Sequence, residues 1–300
     1  MAPGPRAPLG DRVRVVDGGL GSTLEVAGAD LAAPLWSAKA LVEQPGLVQQ
    51  VHEAFFRAGA DVAVTASYQV SEEGFVAAGH EAADARRALV RSVEVARAAA
   101  AAAGGGDRLV AASVGPYGAV LADGSEYHGR YPVTATELTA FHRRRLAVLE
   151  GAGPDLLAVE TQPTLAEAEA VLDALADQGP PVWVTFTCVA GARTAGGDDL
   201  ADAGARVAAH PRVEAVGVNC TAADDIADAL DALAGTGLPL VACPNAGGAW
   251  DAEARVWRYA GIGALDPDRV AGWVAQGARL VGGCCGVGPD DIAALRCSLG

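Results

Sequence analysis

The chain has 300 residues, half of them apolar and a fifth charged. That size suits one large α/β barrel or two ordinary domains, and no apolar run approaches the ~18 residues of a membrane span. Lysine and arginine total 22 against 37 aspartates and glutamates, a net charge of −15, which repels phosphate backbones and anionic lipid and argues against nucleic acid or membrane as the main partner.

The opening stretch M-A-P-G-P-R-A-P-L-G lacks the hydrophobic core of a signal peptide, so a cytoplasmic location is expected, with residues 1–12 flexible. In that compartment the six cysteines read as thiols or metal ligands and not as a disulfide framework.

Short apolar runs then alternate with helical stretches to the end of the chain. A first strand is expected at 13–16, ending in Asp17-Gly18-Gly19. After Pro45, the positions Leu47, Val48, Val51 and Phe55 mark one helical face. Strands follow at 61–66 and, past the helix-closing glycines 104–106, at 109–114. Thr134 with Glu137 and Thr164 with Glu167 read as capping boxes on either side of a strand at 155–160. Further strands are expected at 182–187, 213–219, 239–242 and 278–282, and Pro289-Asp290-Asp291 suits the first turn of a last helix.

Most of these strands are nearly continuous apolar runs, as in parallel strands buried on both faces. Long segments follow the first, third, fifth and seventh strands, whereas the turns after helices are short. Eight such pairs predict a single (β/α)8 TIM barrel over 1–300, with long βα loops at its C-terminal rim. A doubly wound sheet is the runner-up, but D-G-G-L-G-S lacks the G-x-G-x-x-G spacing of a dinucleotide loop.

In such a barrel the polar residues at strand C-termini carry the chemistry. They are Asp17, Tyr68, Gln69, Ser113, Glu160, Asn219, Cys220, Asn245, Cys284 and Cys285. The sixth and eighth strands are separated by one strand, so Cys220, Cys284 and Cys285 can converge. Three thiolates with a fourth position open suit a catalytic zinc, against the bland alternative of small buried hydrophobes. Adjacent cysteines in a regular strand point to opposite faces, but the glycines of G-G-C-C-G let the chain leave strand geometry.

Cys188, Cys243 and Cys297 read as packing residues. His52, His80, His142 and His210 read as surface residues, and Arg143–Arg145 as a solvated helix face. Glu160 ends the apolar run D-L-L-A-V, where a carboxylate needs a cation or donors, so it serves a substrate ammonium or a structural salt bridge. Asp17 invites the same argument with less force.

Taken together, D-G-G-L-G-S-T-L-E, L-W-S-A-K-A-L, V-T-A-S-Y-Q, G-P-Y-G-A-V-L-A-D-G-S-E-Y, E-T-Q-P, G-V-N-C, P-N-A-G and G-G-C-C-G-V-G-P resemble the homocysteine S-methyltransferase family, in order, from about Val13 to Leu295. Within it, L-W-S-A-K and L-A-D-G-S-E-Y are most similar to the bacterial S-methylmethionine-dependent members.

The resemblance implies a zinc barrel in which Cys220, Cys284 and Cys285 hold Zn2+ and homocysteine sulfur takes the open position. By the same carry-over Glu160 and Asp17 hold the amino acid's ammonium, amides after Asp17 its carboxylate, and Tyr68 lines the donor side; Asn219 is expected among the substrate-binding residues. The implied reaction moves a methyl group from S-methylmethionine or S-adenosylmethionine to the thiolate, giving methionine. Alternatives are a betaine- or corrinoid-partner-dependent methylation, or a non-enzymatic zinc-thiolate protein.

Two segments depart from the pattern. Val287-Gly288 stand where Thr is common, and the glycine-rich loop 191–199 is poorly matched. The partners expected are small-molecule substrates; the sequence does not state an oligomeric state.

Overall fold

The computed structural model describes residues 9, 12–31, 35, 37–104, 106–190, 192–251, 256–259 and 263–300, the side chains of 248–251 and 256–259 excepted. The eight expected strands are present: β1 (Arg14–Val15), β2 (Val62–Val64), β3 (Leu109–Val114), β4 (Leu156–Gln162), β5 (Val182–Phe186), β6 (Val213–Asn219), β7 (Leu240–Cys243) and β8 (Ala278–Val281). All neighbouring pairs are parallel, in the order β1-β8-β7-β6-β5-β4-β3-β2. A parallel bridge between Val16 and Val62 joins the two ends, with the Asp17 amide donating to the Val62 carbonyl at 2.9 Å. The sheet therefore closes into the predicted (β/α)8 barrel, with helices between its strands.

Two apolar layers hold it. Inside the barrel pack Leu9, Val16, Val62, Leu109, Ala111, Leu156, Ala158, Trp183, Ala215, Val241, Cys243 and Leu280. A larger cluster lies between the outer face of the strands and the helices, with Phe55, Leu89, Leu149, Val184, Val216 and Leu230 among its members. Because strand side chains alternate, the inward positions can be read upward along each strand. Leu109, Ala111 and Ser113 follow one another on β3, and Leu156, Ala158 and Glu160 on β4. The interior thus changes from apolar to polar toward the C-terminal rim.

Helix signals held with one exception. The helix Ala135–Gly151 starts with the Thr134/Glu137 box, the Thr134 amide donating to Glu137 at 2.7 Å. The helix Leu165–Leu172 is capped by Thr164, but the Glu167 carboxylate turns away to accept from the Tyr117 amide and to face His142 Nε2 at 3.2 Å. A buried competing donor outweighs the local box.

Three surface assignments are corrected. His52 and His142 are fully buried, and so is Arg145, while Arg143 and Arg144 remain exposed. His52 follows Val48 by one turn on the buried face of Pro45–Arg57, and His142 and Arg145 share a face with Leu138 and Leu149. The helical period carries them inward regardless of polarity. Cys188 and Cys243 are buried as expected, but Cys297 is exposed on the last helix, Pro289–Leu299.

The long rim loops have structure of their own. Residues 115–132 contain a short helix Tyr117–Leu121 and a 3-10 turn Ser125–Tyr127. After β5, Cys188–Val189 pairs antiparallel with Arg193–Thr194, and after β7, Gly248–Asp251 pairs with Val256–Tyr259. The glycine-rich loop after β5 is tied down: Asp198 accepts from the Leu165 amide at 2.7 Å, and the Gly196 amide donates to Pro163 at 2.8 Å. Among the described residues, no helix is long and apolar enough to cross a membrane.

Candidate metal and substrate site

The sulfurs of Cys220, Cys284 and Cys285 lie within 4.8 Å of one another at the rim, a group able to hold a metal ion. Cys220 Sγ and Cys285 Sγ are 3.7 Å apart. Cys220 follows the last residue of β6 and turns into the left-handed region, φ 51°, its amide donating to the Cys243 carbonyl at 3.1 Å. That conformation is costly for a side chain bearing Cβ and is held here by neighbouring strands.

The cysteine pair lies just past β8, where the Cys284 amide donates to Pro244 at 2.8 Å and the Cys285 carbonyl accepts from Ala246 at 2.8 Å. The preceding glycines serve close approach and not unusual dihedrals. A Cβ on Gly282 would sit 2.5 Å from the Val16 carbonyl oxygen, and one on Gly283 would sit 2.2 Å from a Val287 methyl. Only Gly286, after the pair, takes a positive φ, 81°.

Without a cation the three thiols cannot all ionise. Hydrogen bonds from Cys220 and Cys284 hold Cys285 well below the usual thiol range. Cys220 is pushed up by its bonds to Cys284 and Cys285 and then by burial. Cys284 is also raised: the Cys220 bond favours its thiolate, but the Cys285 bond and burial outweigh it. A soft divalent cation among the sulfurs would stabilise all three thiolates, and this donor set suits zinc.

Two carboxylates flank the thiols from the barrel side. Glu160 accepts a short hydrogen bond from the Ser113 hydroxyl and one from Asn219 Nδ2 at 3.4 Å. Burial pushes its carboxyl up to about 8, with Ser113 opposing and the charge of Cys284 reinforcing. Asp17 is 1% exposed and accepts from the Val64 amide at 2.9 Å, with His52 Nδ1 at 4.0 Å. Burial raises it well above the usual carboxylate range, and Glu160 adds to that. Two acids without a cation among the described residues, Asp17 buried and Glu160 partly buried, facing one thiol cluster, make a site ready for a positive group.

Tyrosines cover the other side. The Tyr68 ring packs over Gly115, where a Cβ would lie 2.6 Å from its ring carbons. Tyr127 hydroxyl is 3.9 Å from Cys220 Sγ. Burial raises the Tyr68 phenol, and the charges of Glu126 and Cys220 add to it.

Asn219 is occupied by protein: its Oδ1 accepts from the Thr161 amide and the Thr185 hydroxyl, and its Nδ2 donates to the Thr161 hydroxyl. Gln69 donates to the Ala119 carbonyl at 2.9 Å, and Asn245 accepts from the Gly247 amide at 3.2 Å. Trp250, another aromatic on the loop after β7 that the sequence offers for the donor, has its side chain outside the described residues.

Sequence reasoning missed Arg145 and Glu126. Arg145 donates to the carbonyls of Gly115 at 2.9 Å, Ser67 at 3.2 Å and Tyr68 at 2.7 Å, clamping two rim loops from below. Its position four residues after Phe141 on the buried face was the available signal.

A family model described as homocysteine S-methyltransferase matches residues 14–299. The homocysteine S-methyltransferase of Escherichia coli (strain K12) is 44% identical over 95% of this chain and 94% of its own. The homocysteine S-methyltransferase YbgG of Bacillus subtilis (strain 168) is 40% identical over 93% of this chain and 91% of its own. The crystal structure of the metallated homocysteine methyltransferase MmuM from Escherichia coli superposes with a TM-score of 0.86 at 42% identity, covering 97% of this chain and 99% of that one. With near-complete coverage at such identity, and the same barrel, this chain is a member of the homocysteine S-methyltransferase family.

Proposed function

We propose that the protein transfers a methyl group from a sulfonium donor, S-methylmethionine foremost, to homocysteine and forms methionine. The observation that carries this reading is the convergence of Cys220, Cys284 and Cys285 beside the acids Glu160 and Asp17. A non-catalytic thiolate centre gives those acids no purpose.

The three cysteines would hold zinc. The ion, when bound, supplies a Lewis acid that keeps the acceptor's sulfur deprotonated; a free thiol, pKa ~8.5, is only a few per cent thiolate at neutral pH. Everything else falls to the chain's own side chains. Glu160, held by Ser113 and Asn219, takes the acceptor's ammonium, and Asp17 adds a second negative charge behind it. The Gly19 amide already donates to Val287 at 2.9 Å, which leaves the acceptor's carboxylate to neighbouring amides. Asn219 acts through Glu160 and Thr161 and not by touching substrate.

In the reaction the acceptor's sulfur attacks the donor's methyl carbon. A new C–S bond forms, and the electron pair of the breaking C–S bond stays on the leaving thioether. The acceptor's thiol proton passes to solvent on binding. Alignment of sulfur, methyl and leaving group is the remaining task, for which the aromatic rings of Tyr68 and Tyr127 suit a soft cation.

The test is methionine formation from homocysteine by the purified protein alone, with S-methylmethionine, S-adenosylmethionine and glycine betaine in competition. S-methylmethionine should show the highest kcat/KM and betaine the lowest. A clear preference for betaine, or turnover only with an added corrinoid protein, contradicts this assignment.

A further inference from the structure

Glu126 is the middle residue of the 3-10 turn Ser125–Tyr127 on the loop after β3. The turn is firmly seated. A Cβ on Gly118 would lie 2.4 Å from the Glu126 amide nitrogen, so the turn rests directly on the helix Tyr117–Leu121. Ser125 is buried, its amide donating to Asp123 at 2.9 Å and its carbonyl accepting from Gly129 at 2.8 Å. Gly129 abuts Thr164 and Pro163, at the start of the loop after β4. This seating carries Tyr127 hydroxyl to 3.9 Å from Cys220 Sγ and fixes its neighbour, Glu126, on the same rim.

One oxygen of Glu126, Oε2, is buried and has no hydrogen-bond partner. No arginine or lysine among the described residues forms an ion pair with it. Its charge reaches both Tyr68 and Tyr127, whose phenols also feel Cys220. Tyr127, next to Glu126 in the same turn, links that turn to the thiols, its hydroxyl 3.9 Å from Cys220 Sγ. Burial pushes the Glu126 carboxyl up, the response of an acid without its counter-charge.

S-methylmethionine carries two cationic centres. Its sulfonium must meet the acceptor's sulfur at the thiols, and its α-ammonium lies two methylenes and an α-carbon away. We propose that Glu126 receives the α-ammonium of the methyl donor across the Tyr68–Tyr127 pair, and so selects amino-acid sulfonium donors over those with one cationic centre. The inference rests on the sulfonium-donor reading above.

The experiment compares two donors in wild type and Glu126→Gln: S-methylmethionine and its desamino analogue, 4-(dimethylsulfonio)butanoate. Loss of a charge-assisted hydrogen bond should lower kcat/KM for S-methylmethionine about tenfold to two-hundredfold in Glu126→Gln. The analogue, already lacking the ammonium, should be poor with wild type and change less than about twofold. Homocysteine KM and bound zinc, both expected unchanged, report an intact site.

Equal losses on both donors, or none on S-methylmethionine, overturn the assignment while leaving the sulfonium reading intact. A raised homocysteine KM shows Glu126 to be structural and overturns it too. Wild-type enzyme that uses neither sulfonium but does use betaine overturns the donor reading, and the Glu126 assignment with it.

Discussion

Asn219 and Thr161 hold each other across the barrel rim: Asn219 Oδ1 accepts from the Thr161 amide at 2.7 Å and its Nδ2 donates to the Thr161 hydroxyl at 2.8 Å. Thr161 needs that grip, because it sits at φ 59°, a left-handed conformation that a β-branched residue seldom adopts. The irregularity it makes in β4, where the register with β5 shifts between Val159 and Gln162, lies beside Glu160, which Asn219 also reaches at 3.4 Å.

Asn219→Ala removes this bracket and leaves the buried Thr161 amide and Thr185 hydroxyl without their partner. Unfolding in urea should show a loss of about 2–4 kcal/mol, from two or three orphaned groups. Homocysteine KM should rise more than donor KM, since Glu160 is the group released. Equal rises in both KM values would mean that the bracket does not act through Glu160.

For Glu160 itself the prediction is a pH-dependent trade between stability and binding. Unfolded, the carboxyl ionises near 4.5; folded and metal-free, it keeps its proton to about 8. Unfolding releases that proton at pH values between the two, so this group's contribution to stability falls as pH rises across the window and is constant above it. Glu160→Gln lacks the loss. Its Tm in the metal-free protein should exceed wild type by a margin that grows from about pH 5 to about pH 8, while homocysteine binding weakens about tenfold to two-hundredfold. A pH-independent Tm difference would contradict the burial argument, and unchanged acceptor affinity would make the carboxylate merely structural.

Arg145 gives a third. Its guanidinium is buried, lies over the Phe141 ring at 5.2 Å and clamps the carbonyls of Gly115, Ser67 and Tyr68. Arg145→Met keeps much of the packing but orphans three carbonyls, at a cost of about 2–4 kcal/mol. The clamped carbonyls include those of Tyr68 and Gly115, which on the proposed reading face the donor, so donor KM should rise more than homocysteine KM. A variant with wild-type stability would contradict the clamp.

Much of this molecule was legible in its sequence because its strands are buried on both faces. β3 at Leu109–Val114 and β6 at Val213–Asn219 are apolar runs whose ends are visible as composition changes. The thiol cluster was legible for the same reason, since strand parity and barrel order bring the ends of β6 and β8 together. What stayed hidden depends on partners distant in sequence. Arg145 looks solvated beside Arg143 and Arg144 until the loops of Ser67 and Gly115 fold over it. Glu167 has a local capping role available, but the Tyr117 amide, fifty residues away, takes its carboxylate. The role of Gly282 is likewise invisible until β1 approaches to close the barrel, since only then does the Val16 carbonyl exclude a side chain.

The remaining thiols separate metal binding from mere cysteine content. Cys188 is buried, Cys243 is buried next to the cluster with its carbonyl accepting from the Cys220 amide at 3.1 Å but is not among the three clustered sulfurs, and Cys297 is exposed on the last helix. Single Ala or Ser substitutions at these three should retain bound metal, read by elemental analysis. Loss of the metal from a folded Cys188, Cys243 or Cys297 variant would contradict the ligand assignment.

The most direct measurement is zinc content and methionine formation in wild type and in Cys220→Ala, Cys284→Ala and Cys285→Ala, each checked for a native circular dichroism spectrum. About one zinc per chain is predicted for wild type, following the open tetrahedral pattern of three protein ligands, with turnover lost on chelation. Each variant should keep its fold and lose both metal and turnover. A folded Cys284→Ala protein with stoichiometric zinc and normal methionine formation would contradict the account.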